Sequence, residues 1–227
     1  KYPAKNRYHC TAVFKVERVG FDKHYIPDIV LFVNGIPLVV MECKRSAYQT
    51  KKNPIESAIR QLADYQARDG IPQLFLYSQL LLAIARDKAQ YGTTGTPRKF
   101  WSVWKESDID NPIRQLISKP LPEPDMNHLL SAHFLESRGT FTSMLDQGRE
   151  IYEQDRSIYA LCRPQRLMEL IYRFILFDNG AKKIARYQQY FTVRDIIGRV
   201  LKAPPGKPRP GGVVWHTQGS GKSLTMV

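Results

Sequence analysis

Apolar and polar positions change period several times along the chain, and each change predicts an element. Residues 11–19 (TAVFKVERV) alternate β-branched and polar side chains, the period of a half-buried strand. Two short apolar runs, 29–33 (IVLFV) and 36–41 (IPLVVM), flank Asn34-Gly35. Asn-Gly suits the positive backbone angles of a tight turn, so these runs predict a β-hairpin. Neither run alternates. Strands apolar on both faces must be covered on both faces, so helices are expected on either side of the sheet.

The period then lengthens. Asn53-Pro54-Ile55-Glu56 opens a helix: Asn53 can cap, Pro54 suits the first turn and Glu56 can close a capping box. Ile55, Ile59, Leu62 and Gln66 form one stripe that carries the helix to about Ala67. Residues 73–77 (QLFLY), 80–85 (LLLAIA) and the aromatic-rich 98–104 (RKFWSVW) read as further strands. A proline cluster at 119–125 marks a rigid turn or subdomain edge, and the pattern beyond it is helical. A helix is expected over 164–177, ended by Asn179-Gly180, and another over 183–201. A basic Pro/Gly-rich loop (203–212) leads to a short strand at 213–215 and then to His-Thr-Gln-Gly-Ser-Gly-Lys-Ser. No internal repeat is visible. The expected division is 1–180, with a helical extension from about 119, and 181–227 as the start of a second domain.

Composition narrows the class. Of 227 residues, 34 are Lys or Arg and 21 Asp or Glu, a formal net charge of +13. A hydrophobic fraction of 43 % excludes a wholly disordered or collagen-like chain. The distributed positive charge points to a polyanionic partner, most simply nucleic acid. Cys10, Cys43 and Cys162 are odd in number and widely spaced, which supports neither a disulfide framework nor a zinc site. A reducing, cytoplasmic compartment fits. No apolar run approaches the roughly 20 residues of a membrane span, so no membrane partner is expected. The start at Lys1 and the stop just after a Gly-rich motif read as a piece of a longer protein.

Pro27-Asp28, thirteen residues, then Glu42-Cys43-Lys44 resembles the PD-(D/E)xK nuclease pattern. The residue types suit phosphodiester hydrolysis. Mg²⁺ takes hard oxygen ligands, which Asp28 and Glu42 can supply. Lys44, two residues after Glu42, lies on the same strand face and can orient or help deprotonate a water. Gln61 and Tyr65, at i and i+4, are neighbours on the following helix, at the flank of its buried stripe. Q-x-x-x-Y here resembles the extra motif of the RecB-like branch of these nucleases, which implies a role in DNA binding or active-site order.

The hairpin imposes a geometric condition. A regular two-residue turn at Asn34-Gly35 sets Asp28 opposite Met41, and Asp28 then points away from Glu42 and Lys44. A one-residue change of register reverses this. The catalytic reading therefore requires an odd-length turn, or a bulge or bend near Pro27-Asp28.

The second motif, Thr217-Gln218-Gly219-Ser220-Gly221-Lys222-Ser223, looks like a Walker A loop. Main-chain N–H groups of such a loop cradle phosphates, Lys222 would reach the β/γ-phosphates and Ser223 would hold Mg²⁺. His216 stands where the general pattern has glycine, a departure common in superfamily 2 helicases. Upstream, Arg186-Tyr187-Gln188-Gln189 resembles the R-x-Q element of those ATPases, which implies that its glutamine, taken as Gln188, reads the adenine edge.

A nuclease hairpin followed by such a loop resembles the restriction (R) subunit of type I restriction–modification enzymes. The stretches 27–44, 91–105 and 211–227 carry the likeness. The resemblance implies an α/β fold: a PD-(D/E)xK-type mixed central sheet flanked by helices, a helical segment, then the first strand and P-loop of a RecA-like domain. It implies Mg²⁺-dependent endonucleolytic cleavage of double-stranded DNA coupled to ATP-driven translocation. Partners would be the modification (methyltransferase) and specificity subunits, with S-adenosylmethionine bound on another subunit. Two alternatives stand beside it: a repair-type nuclease–helicase, and a non-catalytic DNA-binding or docking module.

Overall fold

A computed structural model describes residues 5–46, 53–202, 204, 206–215 and 221–226. Its centre is a five-stranded mixed sheet built from β1 (Tyr8–Ala12), β4 (Ile29–Val33), β5 (Ile36–Lys44), β6 (Leu80–Ala85) and β7 (Lys88–Gly92), in the order β1-β4-β5-β6-β7. Three neighbouring pairs are antiparallel and β5/β6 is parallel. Parallel strands need a long crossover. Here it contains α1 (Pro54–Gln66) and the short α2 (Pro72–Phe75). Two small hairpins stand apart, β2/β3 (Val16–Glu17, His24–Tyr25) and β8/β9 (Ile175–Asp178, Ala181–Ile184). The other helices are α3 (Asp110–Ile117), α4 (Glu123–Leu129), α5 (Arg138–Gln147), α6 (Glu153–Cys162), α7 (Pro164–Arg173), α8 (Tyr187–Leu201) and α9 (Lys222–Thr225).

Both faces of the sheet are covered, as the non-alternating strands require. On one face Val30, Val40, Leu81 and Ala83 pack against Ile55, Ile59, Leu62 and Tyr65 of α1. On the other, Val39, Met41, Leu82 and Tyr91 meet Trp104 from a loop and Leu161, Leu170 and Tyr190 from the later helices. Each fully buried aliphatic side chain contributes about 1.5–3 kcal/mol relative to exposure. Asn53 caps α1 by accepting the Ile55 N–H at 3.2 Å. Glu56 does not close a capping box; it pairs with Arg98. Tyr65, not Gln66, completes the buried stripe.

Several expected elements differ. The first strand is shorter, because Val13 takes a positive φ of 54° and breaks residues 11–19 into β1 and β2. Residues 73–77 are not a strand: Pro72 starts the one-turn α2, burying Leu74 and Phe75 together, which alternation forbids. Residues 98–104 form a 3₁₀ turn (Arg98–Phe100) and one bridge, Tyr91 to Ser102, with Trp101 and Trp104 buried as anchors. The expected helix over 164–177 stops at Arg173. Asn179 and Gly180, at φ 49° and 78°, are a hairpin turn between β8 and β9, not a helix end. That strand pair also delays α8 to Tyr187. A boundary after residue 180 would cut the β8/β9 turn, and Tyr190 beyond it belongs to the same apolar cluster as the central sheet. Residues 213–215 are exposed and form no strand. No described helix is long and apolar enough to cross a membrane.

Candidate active site

The site begins with a register. Asn34 (φ 54°) and Gly35 (φ 82°) make a two-residue turn, which pairs Val33 with Ile36 and Phe32 with Pro37. The next pair is Leu31 with Val39, so Leu38 is an extra residue in β5. Leu38 and Val39 accordingly pack on the same side of the sheet. Beyond this bulge Ile29 faces Met41, and the same register carried one residue further sets Asp28 opposite Glu42. The catalytic reading needed this change of register. It arises neither from an odd turn nor from a bend at Pro27-Asp28, but from a bulge next to Pro37, whose missing N–H suits an interrupted ladder.

The carboxylates come together with the lysine. The Cys43 main-chain N–H donates to Asp28 Oδ2 at 2.7 Å, which ties the aspartate to β5. Glu42 is 0 % exposed on the α1 face. Lys44 Nζ donates to Glu42 Oε2 at 2.8 Å and to Gln61 Oε1 at 2.7 Å. Gln61 Nε2 donates to the Tyr65 hydroxyl at 2.5 Å, which donates in turn to the Ile26 carbonyl at 3.2 Å. Sequence reasoning placed Tyr65 at the flank of the buried stripe; it is 1 % exposed and roofs the site. The Ile26 carbonyl, a main-chain partner, has no signature in the sequence.

Burial pushes the Glu42 carboxyl up to about 7, opposed by the Lys44 hydrogen bond and reinforced by the Asp28 charge. Burial, then the Glu42 charge, pushes the Tyr65 phenol up, so the hydroxyl stays protonated and able to donate. Among the described residues Glu42 Oε1 is buried without a hydrogen-bond partner. An orphaned carboxylate oxygen costs free energy unless something positive meets it. Among the described residues no three His, Cys, Asp or Glu side chains gather as a metal cage. The carboxylates of Asp28 and Glu42 are hard oxygen donors of the kind Mg²⁺ takes, and Mg²⁺ seldom takes an all-protein cage.

The second expected site is partly in view. Gly219 and Ser220 lie outside the described residues. Gly221 has φ +83°, and Lys222 and Ser223 are exposed at the start of α9. Gln188, the expected adenine reader, is exposed on α8 and does not face this turn. Its neighbour Gln189 does: it is buried and donates from Nε2 to the Gly221 carbonyl at 2.9 Å, while its Oε1 accepts the Arg186 N–H at 2.8 Å. The detectable signal was the three-residue spacing from Arg186, which lets a glutamine close back on the first N–H of the helix.

Comparison with known proteins gives two family matches. Residues 1–100 match the family of the type I restriction enzyme R protein N terminus. Residues 188–227 match the SWI2/SNF2 ATPase family. The type I restriction enzyme HindI endonuclease subunit of Haemophilus influenzae is 30 % identical over 208 residues, 89 % of this chain and 16 % of that protein. A Methanocaldococcus jannaschii protein described as the MjaIXP type I restriction endonuclease subunit is 27 % identical over 229 residues, 98 % of this chain and 20 % of that protein. The SauCOLORF180P type I endonuclease subunit of Staphylococcus aureus is 23 % identical over 223 residues, 97 % of this chain and 19 % of that protein. The chain thus spans a fifth or less of the length of these relatives. Through residues 1–100 it belongs to the family of the type I restriction enzyme R protein N terminus, and a SWI2/SNF2-like segment follows.

Proposed function

We propose that this chain carries the DNA-cleaving centre of an ATP-dependent type I restriction enzyme and the opening of its motor. The observation that carries the reading is the buried, unpartnered Glu42 Oε1 opposite Asp28, with Oε2 held by Lys44. Asp28 and Glu42 would hold Mg²⁺. A divalent cation there supplies Lewis acidity, lowering the pKa of water and offsetting phosphate charge. Lys44 has three N–H donors, two of them directed to Glu42 and Gln61, which leaves one for a water or a phosphate oxygen. Gln61 and Tyr65 hold the lysine in place and tie it to the Ile26 carbonyl, just before Asp28.

The SWI2/SNF2-like segment supports a nucleotide-driven motor, with Gly219, Ser220, Gly221, Lys222 and Ser223 as its phosphate loop. The relatives are endonuclease subunits, so double-stranded DNA and the modification and specificity subunits are the proposed partners. The test uses the full-length subunit in its complex. Glu42→Ala and Lys44→Ala should each abolish cleavage of supercoiled plasmid in the presence of Mg²⁺ and ATP, while ATP hydrolysis persists. Retained cleavage in either variant overturns the assignment.

A further inference from the structure

A ladder of stacked side chains leaves the candidate site and ends in solvent. It starts at Tyr65, whose hydroxyl donates to Ile26 and whose ring lies 5.0 Å from that of Tyr25. The Arg18 guanidinium sits 4.8 Å from the Tyr25 ring centroid and 4.5 Å from that of Phe21. Arg18 is fixed from the other side, with Nε donating to the Asp69 carbonyl at 2.9 Å and Nη2 to the Asp69 carboxylate at 3.1 Å. The β2/β3 hairpin is pinned again by the Val19 N–H on the Gly70 carbonyl at 3.0 Å and by Gln73 on the Glu17 carbonyl at 2.8 Å.

At the tip, beyond these anchors, Phe21 is 51 % exposed and Val19 49 % exposed. A single exposed apolar residue needs no explanation. Two apolar side chains held on a rigid, arginine-backed turn are a different matter, because the hairpin strand runs directly through Ile26-Pro27 into Asp28.

We propose that the β2/β3 hairpin grips double-stranded DNA beside the scissile phosphate, with Phe21 and Val19 as an apolar wedge in the groove. This rests on the nuclease reading. Double-stranded DNA is the occupant because the hairpin strand leads through Ile26-Pro27 into Asp28, and the Tyr25 and Tyr65 rings join the tip to the cleavage centre. Lys23 and His24 are exposed at the tip, where they can meet phosphates; Glu17, Asp22 and the Arg18-paired Asp69 are the acids beside them. Apolar wedges of this kind act by opening a base step and bending the duplex. Arg18, held by Asp69, serves as the platform that keeps the Phe21 ring presented.

The full-length subunit in its complex allows a test. Phe21→Ala should lower plasmid cleavage by about tenfold or more, the size of one aromatic–base contact, with ATP hydrolysis unchanged. Phe21→Trp should restore cleavage. In a Glu42→Gln background, benzoylphenylalanine in place of Phe21 should photo-cross-link to duplex DNA. Cleavage by Phe21→Ala at the parent rate, or cross-links to protein alone, overturns the proposal. Persisting cleavage by Glu42→Gln would instead overturn the nuclease reading, and the cross-link result is independent of it.

Discussion

Asp28 accepts the main-chain N–H of Cys43 across the β4/β5 pair at 2.7 Å. This contact exists because β5 takes up Leu38 as a bulge outside the ladder. Were Leu38 instead paired in regular register, the turn at Asn34-Gly35 would set Asp28 against Met41, on the far side of the sheet from Lys44. How the strand accommodates one residue therefore decides whether the acidic pair and the lysine share a face.

The bulge allows an unusual deletion. Removing Leu38 leaves Phe32 opposite Pro37 and Leu31 opposite Val39, and restores strict alternation of faces. Asp28 then remains opposite Glu42. The deletion should cost about 1–3 kcal/mol from lost packing, and the hydrogen bond from the Gln79 N–H to the Leu38 carbonyl goes with it. Cleavage by the complex should nonetheless stay within about tenfold of the parent. Complete loss of cleavage in a variant with parental circular dichroism would contradict the register.

Gly70 holds the passage from α1 to the hairpin anchors. A Cβ there would lie 2.5 Å from the Asp64 carbonyl oxygen and 2.6 Å from that of Tyr65. Both are main chain and cannot swing aside. Gly70→Ala should destabilise the fold by about 1–3 kcal/mol or more, read as a lower urea midpoint. An unchanged midpoint would mean that the end of α1 yields more readily than its packing implies.

Lys182 provides a pH signature away from the site. Its Nζ donates to the Ser78 carbonyl at 2.9 Å, and burial lowers its pKa from 10.5 to about 8. The unfolded chain therefore binds the extra proton between about pH 8 and 10.5, and stability contributed by this group rises with pH across that window. Below pH 8 its penalty is fully present. Lys182→Met should be more stable than the parent at pH 7.5, and the difference should shrink by pH 10. Thermal midpoints at the two values check this, and a pH-independent difference would count against it.

Gln188 and Gln189 are adjacent but differ in consequence. Gln189 holds the Gly221 carbonyl and Gln188 faces solvent. In the full-length subunit Gln189→Ala should raise the KM for ATP several-fold, while Gln188→Ala leaves it unchanged. Equal KM values for the two variants would separate the α8–Gly221 contact from nucleotide binding.

The parts legible in the sequence were those set by local chemistry. Asn34-Gly35 announced its turn, Asn53-Pro54 announced α1, and the unalternating strands announced a sheet covered on both sides. The bulge was required but not located, because Leu38 is placed by Gln79 on a distant loop and by packing on the α6–α8 side. Residues 73–77 misled because a buried helical turn and a short strand share the same apolar run. Asn179-Gly180 was read as a helix end although the same dipeptide had been read as a hairpin at 34–35; the apolar stripe of α7 continues into β8 and hides the change of period. The contact of Gln189 with the Gly221 carbonyl has no local signature, because the two lie far apart along the chain.

The lone parallel pair in the sheet has a further effect. Joining β5 to β6 in the same direction demands a return path over one face, and α1 is the first helix after Lys44 to take it. The roof of the pocket is therefore the next segment to be synthesised after its floor. Everything from Ile26 to Tyr65 that shapes the acidic pair is contiguous in the gene, while the opposite face of the same strand, through Val39 and Met41, is the floor on which the later helices pack.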